Sequence, residues 1–242
     1  MRCLVMHKQG TVEPETWSPP TPELMNAMGA LVGELLQKKA MENGAGLNPK
    51  FPRTRITSQG GTVVERHGPL TGTNELLAHV AMFEVENKAA AIDLGKRYAK
   101  AVGGDVTLEL GRVTEAWDLG HAPMPTGPVP EKYLLLHMAD AASEAGIAFT
   151  SDQSARVRSV LDSTKVLMPL EHVRPSKEGR RLKFKSGRRV SAFDGPFAES
   201  KELISGFCLI NLPSFEDCVA MGERYGAILA ELEVDVLPLS PA

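Results

Sequence analysis

The sequence contains one pattern twice, about half a chain apart. Residues 194–204 read Asp-Gly-Pro-Phe-Ala-Glu-Ser-Lys-Glu-Leu-Ile, and residues 67–77 read His-Gly-Pro-Leu-Thr-Gly-Thr-Asn-Glu-Leu-Leu. Beyond this motif, three further residues recur at the same spacing: Gly95, Arg97 and Tyr98 as Gly222, Arg224 and Tyr225. A spacing that holds over about thirty residues indicates two related structural units in one chain.

Each half predicts the same order of elements. Residues 2–7 predict a buried strand that ends at His7, and Thr21 followed by Pro22 predicts the start of a helix. A hairpin around Gly60-Gly61, a long strand, a helix capped by Asn87 and a last strand follow. The second half repeats this order between residues 133 and 237. In each half both helices would cross one side of the sheet and leave the other face apolar.

A proline-rich stretch separates the halves, and its composition favours an extended linker. We therefore place a first unit at residues 1–116, the linker at 117–130 and a second unit at 131–242. Since a lone unit would expose the apolar face of its sheet, we predict an α+β fold in which the two sheets pack against each other within one chain.

Composition excludes several classes of function. A formal net charge of -3 predicts no general attraction to nucleic acid or to an anionic membrane. The apolar runs are too short to span a bilayer, and no basic-then-apolar leader opens the chain, so we expect a cytoplasmic protein. Cys3, Cys208 and Cys218 lack paired spacing, which is typical of free thiols in a reducing compartment.

The second copy of the motif resembles a known family. Residues 194–202 are close to the Asp-Gly-Pro-Phe-Ala-Glu-(Ser or Thr)-Lys-Glu string of the YCII-related proteins, in the subgroup called DGPF-domain proteins. The first copy keeps Gly68-Pro69 and Glu75-Leu76 only. The resemblance implies two ferredoxin-like βαββαβ units, packed sheet to sheet as an intramolecular dimeric α+β barrel. It implies little about activity, although some relatives act on muconolactone-type molecules with a His and an Asp proposed as the acid/base pair.

Histidines end the first strand of each half, at His7 and His137. An imidazole there could face a cavity between the sheets as a general base, or it could be half-buried and bonded to the backbone. Asp194 would either partner a histidine or accept backbone N–H bonds in a turn. We take His137 and Asp194 as the acid/base candidates, with His7 as the counterpart in the other half.

Four further residues are candidates for contact with a ligand. Phe197 and Lys201 belong to the motif, Glu171 lies where the first half has Ala45, and His67 takes the place of the motif's acid. Ordinary surface charge explains the motif's ionic residues equally well. Because charged groups are kept mainly in the second half, we predict an asymmetric pocket that is better formed near that half.

Familiar cofactor and metal motifs are missing from the sequence. Phosphate-loop, dinucleotide, His-Glu-x-x-His and zinc-cysteine patterns do not occur, so we predict neither cofactor nor metal. The basic hairpin at residues 181–189 has Phe184 as its one aromatic, which favours a solvated edge over nucleic-acid binding. The expected partner is an unidentified small molecule, and association of two such chains stays open.

Two classes of function remain at this point. One is an enzyme of acid/base or lactone-type chemistry, and the other is a non-catalytic ligand-binding or regulatory module. A purely oligomeric scaffold is a weaker third. The enzyme hypothesis requires that His137 and Asp194 meet at one cavity, so their positions decide between the first two.

Overall fold

The computed structural model describes residues 1–10, 15, 17–70, 75–197, 202–230 and 232–241. Its strands form two six-stranded sheets in which neighbouring strands run antiparallel. Sheet I has the strand order β10 (Arg188–Asp194), β9 (Arg180–Lys185), β12 (Glu233–Pro238), β1 (Arg2–Gln9), β11 (Leu203–Asn211) and β2 (Met41–Gly46). Sheet II has the order β4 (Thr62–His67), β3 (Thr54–Gln59), β6 (Val106–Arg112), β7 (Glu131–Met138), β5 (Leu77–Val85) and β8 (Lys165–His172).

Local capping signals set where the helices start. Thr21 accepts a hydrogen bond from the Leu24 N–H, and Asn87 accepts one from the Ala90 N–H, as the sequence predicts. The helices are α1 (Pro22–Gln37), α2 (Lys88–Val102), the short α3 (Ala141–Glu144), α4 (Ser151–Leu161) and α5 (Phe215–Leu229).

Neither sheet is built from one half of the sequence. Sheet I takes β1 and β2 from the first half and its other four strands from the second, and sheet II takes β7 and β8 from the second half and the rest from the first. In the middle of each sheet, β1 lies between β11 and β12, and β7 lies between β5 and β6. Each half therefore gives its first strand, helix and second strand to the partner half's sheet.

This exchange changes the meaning of the predicted boundary. The stretch 117–130 lies in the connection from β6 to β7, which are hydrogen-bonded neighbours in sheet II. It therefore joins two strands of one sheet. The ranges 1–116 and 131–242 describe the repeat in the sequence, but they do not correspond to separate sheets.

The sheets pack face to face, and helices cover their outer faces. Leu4 and Met6 of β1 share one apolar core with Leu134 of β7, between the sheets. Cys3 and Val5 point the other way, into a core that includes residues of α1 and α5. This follows from the alternation of side chains along a strand. A third core packs α2 and α4 against sheet II. The predicted α+β class with two packed sheets is confirmed.

Buried ion pairs flank the core between the sheets. Asp235 of β12 accepts hydrogen bonds from Arg181 at 2.6 and 2.8 Å, and Lys8 Nζ lies 2.7 Å from Asp235 Oδ2. Glu109 takes the equivalent place in β6 and accepts a hydrogen bond from Arg55 Nε at 2.9 Å. Since Lys8, Asp235 and Glu109 are fully buried, each charge depends on these partners.

The lengths and compositions of the helices bear on whether one of them could cross a membrane. In the part of the chain that the structure describes, no helix combines the length and the apolar character needed to cross a membrane.

Candidate ligand-binding site

A His–Tyr pair occurs once on each sheet. His7 lies within β1, which continues to Gln9 instead of ending at His7 as predicted, and its Nδ1 lies 2.7 Å from the Tyr225 hydroxyl on α5. His137 Nδ1 on β7 lies 3.2 Å from the Tyr98 hydroxyl on α2. Because the halves exchange strands, each pair takes its histidine from one half and its tyrosine from the other.

Both histidines face the helices, so the expectation that they look into a cavity between the sheets is wrong. His7 lies on the same side of β1 as Cys3 and Val5, which pack towards α1 and α5. The period-two alternation of a strand places it there. The inter-sheet side of β1 carries Leu4, Met6 and the buried Lys8.

The His7 pair opens on a large apolar cavity. The cavity has a volume of about 370 Å³ and lies between β1, β2, β11 and the helices α1 and α5. Small-molecule sites commonly have volumes of about 300–1,000 Å³. Thioether and hydrocarbon side chains form most of the wall, and methionines adapt well to ligands of varied shape. The lining includes His7, Met28, Leu31, Leu35, Met41, Gly44, Gly46, Phe207, Met221 and Tyr225.

The same place beside His137 is filled by side chains. His79 Nδ1 lies 3.0 Å from His137 Nδ1, and the His79 ring stacks on Phe149 with centroids 4.1 Å apart. The His172 ring meets His79 edge-on at 4.7 Å. A cavity of about 320 Å³ lies further out between α4 and β8, and His172 lines it whereas His137 does not.

Two glycines account for the difference between the pairs. In sheet I, His7 is paired with Gly206, which is paired with Gly46. At the corresponding positions of sheet II, His137 is paired with His79, and His79 is paired with His172. Two hydrogen atoms thus replace two imidazoles beside His7, and the volume of those rings becomes part of the open space.

Burial keeps both pairs neutral near neutral pH. Burial, together with the smaller effect of the positive charge of Arg53, lowers the pKa of His7 to about 4. Burial also lowers the pKa of His137 to about 4, against a small opposing effect of Asp140. The pKa of the Tyr225 hydroxyl is raised, mainly by burial. The His7 pair therefore offers hydrogen bonds to a ligand, without a charge.

The proposed acid/base partners do not come together. Asp194 lies on β10, at the edge of sheet I, where its side chain is 71% exposed and accepts a hydrogen bond from Arg180 Nε at 2.8 Å. His137 lies in the middle of sheet II and faces its helices. His67, the counterpart of Asp194, is half-exposed on β4, where its Nε2 lies 2.8 Å from Glu65 Oε1.

The remaining predicted residues have other surroundings. Glu171 accepts two hydrogen bonds from Arg2, at 2.7 and 3.0 Å, and so links β8 to β1 across the sheets. Phe197 is buried in the core between the sheets, with the Arg181 guanidinium 4.5 Å from its ring centroid. Lys201 lies outside the described residues. The pocket predicted near the second half, with His137, Glu171 and Asp194, stays a prediction; the open cavity lies beside His7 and takes its walls from both halves.

Sequence reasoning missed Tyr225, Tyr98 and His79 as partners of the histidines. Tyr98 and Tyr225 recur at the repeat spacing, as do His7 and His137, and a repeated His with a repeated Tyr was the available signal. His79 has no such signal, because its counterpart is Gly206. Although three histidines gather near Phe149, no group of three or more His, Cys, Asp or Glu among the described residues is arranged to hold a metal ion.

Comparison with known proteins does not assign the chain to a family. No family model matches the chain, and no match was found among the curated proteins or the solved structures. The likeness to the YCII-related proteins therefore depends on the motif residues alone.

Proposed function

We propose that the protein is a ligand-binding module whose site is the cavity beside His7. The ligand is a small, neutral, mainly apolar molecule with one hydroxyl or carbonyl group that hydrogen-bonds to the imidazole. One observation carries the proposal. The His7–Tyr225 pair opens on about 370 Å³ of apolar space, whereas the equivalent His137 is packed against His79, which in turn contacts His172.

The low pKa of His7 favours ligand binding over acid/base catalysis. A general base works best when its pKa lies near the operating pH, and the pKa of His7 is lowered to about 4. The second catalytic group of the enzyme hypothesis, Asp194, is hydrogen-bonded to Arg180 at an exposed sheet edge. Lactone-type chemistry by His137 and Asp194 is therefore the weaker candidate.

We also propose that the chain is a tandem YCII-related protein. The strand orders β12-β1-β11-β2 in sheet I and β6-β7-β5-β8 in sheet II support an assignment as ferredoxin-like units, if the first strand–helix–strand of each unit is taken from one half and the second from the other. The split pairing of β1 and β2 around β11 supports this assignment. Two such units facing each other would form the intramolecular α+β barrel.

A cavity-filling variant tests the ligand site. Phenol, benzyl alcohol and indole are suitable probes, because each combines an apolar ring with one hydrogen-bonding group. In Gly46→His the first half receives the residue that the second half has as His172, and a Cβ atom at Gly46 would come no nearer than 3.8 Å to Thr114 Oγ1. We expect the variant to fold and to lose binding measured by calorimetry and by thermal shift.

Gly29→His is the matched control, since Gly29 is exposed on α1 and an added Cβ meets no atom within 4 Å. It should bind the probes as the unmodified protein does. Equal binding by Gly46→His, or no binding of any probe to the unmodified protein, would contradict the proposal.

A further inference from the structure

A second cavity lies at the junction between the sheets, apart from the one beside His7. It has a volume of about 90 Å³ and is lined by residues on both sides of the bridge between Leu47 and Val113, Leu47 itself included. A buried water molecule occupies about 10–15 Å³ of such a volume, so the cavity has room for roughly six non-hydrogen atoms of the size of a water oxygen. Its apolar wall includes Phe51, Leu70 and Leu203.

A buried amide in this cavity has a donor without a partner. Asn48 lines the cavity and is 2% exposed. Its Oδ1 accepts a hydrogen bond from the Lys50 N–H at 3.1 Å, which fixes the orientation of the amide. The Asn48 Nδ2 group has no hydrogen-bond partner among the described residues. A buried donor in this state is costly unless something in the cavity accepts from it.

Two arginines, Arg53 and Arg112, line the cavity together with Asn48. Arg112, whose carbonyl oxygen accepts from the Asn48 N–H, stacks on Phe51 at 3.8 Å, and its Nε has no partner in the described part of the chain. Its Nη1 reaches Glu131 only at 4.0 Å. Arg53 also lines the cavity, and it shares the carboxylate of Glu109 with a third arginine. Among the described residues that line the cavity, two are arginines and none is Asp or Glu.

We propose that this cavity binds a small carboxylate. The planar edge of Arg112 at Nε is suited to a carboxylate, and Asn48 Nδ2 would donate a further hydrogen bond to one of its oxygens. Phe51, Leu70 and Leu203 would pack against a short aliphatic chain. The limited volume restricts the ligand to about six non-hydrogen atoms.

Asn48→Asp tests the site with little change of shape. The aspartate keeps an acceptor for the Lys50 N–H, but it replaces the free donor by negative charge. Asn87→Asp is the matched control, since it adds the same charge at the N-cap of α2, where Asp serves as well as Asn. Acetate, propionate and butyrate would be titrated at constant ionic strength with chloride as the balancing anion, and followed by ¹H–¹⁵N spectra.

We expect saturable shifts of the Asn48 side-chain amide and of the Arg112 Nε–H, with binding weakened at least about tenfold in Asn48→Asp and unchanged in Asn87→Asp. Arg112→Gln should weaken binding similarly and serves if Asn48→Asp does not fold. Three results would overturn the proposal: no saturable shift with any of the three acids, equal binding by the tested variant and the unmodified protein, or tighter binding of inorganic phosphate than of every carboxylate.

Discussion

Glu75, the last acid of the first motif copy, has an environment that disfavours its charge. The side chain is fully buried, and its Oε1 has no hydrogen-bond partner among the described residues. Its Oε2 accepts from the Ile204 N–H at 3.2 Å. Burial and, to a smaller extent, the negative charge of Glu109 raise the pKa of Glu75 to about 7, against the opposing effect of Arg53.

The direction of the pH effect follows from this shift. Because the folded-state pKa lies above the ordinary 4.5, folding retains a proton that the unfolded chain loses. The stabilisation is complete below pH 4.5 and is lost as the pH rises through about 7. One pKa unit corresponds to about 1.4 kcal/mol, so the loss between pH 5 and pH 8 is on the order of 2–3 kcal/mol. Glu75→Gln mimics the protonated form, and its free energy of unfolding should not show this loss.

Urea denaturation of both proteins at pH 5 and pH 8 provides the measurement. Effects of distant groups cancel in the difference between the two proteins. Glu86→Gln, at an exposed glutamate before α2, is the control and should follow the unmodified protein. If the stability of Glu75→Gln changes with pH in parallel with that of the unmodified protein, the reasoning about Glu75 fails.

Two further predictions concern stability, and both are measured by urea denaturation. In Gly195→Ala the new Cβ would overlap the Ser176 carbonyl oxygen, so the backbone must move and the cost should exceed about 2 kcal/mol. Gly68→Ala, with nearest contacts of 3.3 Å, should cost less, and equal costs would contradict this prediction. Asp235→Asn removes the carboxylate that pairs with the buried Lys8 and should cost about 3–5 kcal/mol, although Arg181 keeps its contact with Glu233. Lys8→Met should cost less, because Arg181 still pairs with Asp235, and the reverse order would refute the account.

The sequence predicts local structure well where the signal is local. Thr21 and Asn87 cap α1 and α2 because their side chains need only the next turn of backbone. The strand β2 was not predicted, since Met-Glu-Asn-Gly-Ala-Gly has low strand propensity. It forms because β11 supplies hydrogen bonds along it, from Gly206 to Ile210.

The hydrophobic pattern of the sequence could not predict the exchange of strands between the two halves. The first strands of the two halves, β1 and β7, each carry a run of four buried residues that is followed by a His. Either strand therefore fits either sheet, and local sequence does not select its neighbours. The sequence pattern pointed to His7 and His137 but not to their tyrosine partners. Each tyrosine belongs to the other half of the sequence, and it meets its histidine only because the halves exchange strands.

The central claim is that the cavity beside His7 is the ligand site and that its counterpart at His137 is closed. The most direct measurement is the ring ¹⁵N spectrum of histidine-labelled protein, titrated with benzyl alcohol and assigned with His7→Gln. The account predicts that the His7 resonances shift saturably while those of His137 stay unchanged. Shifts of His137 without shifts of His7, or no shift of either, would contradict it.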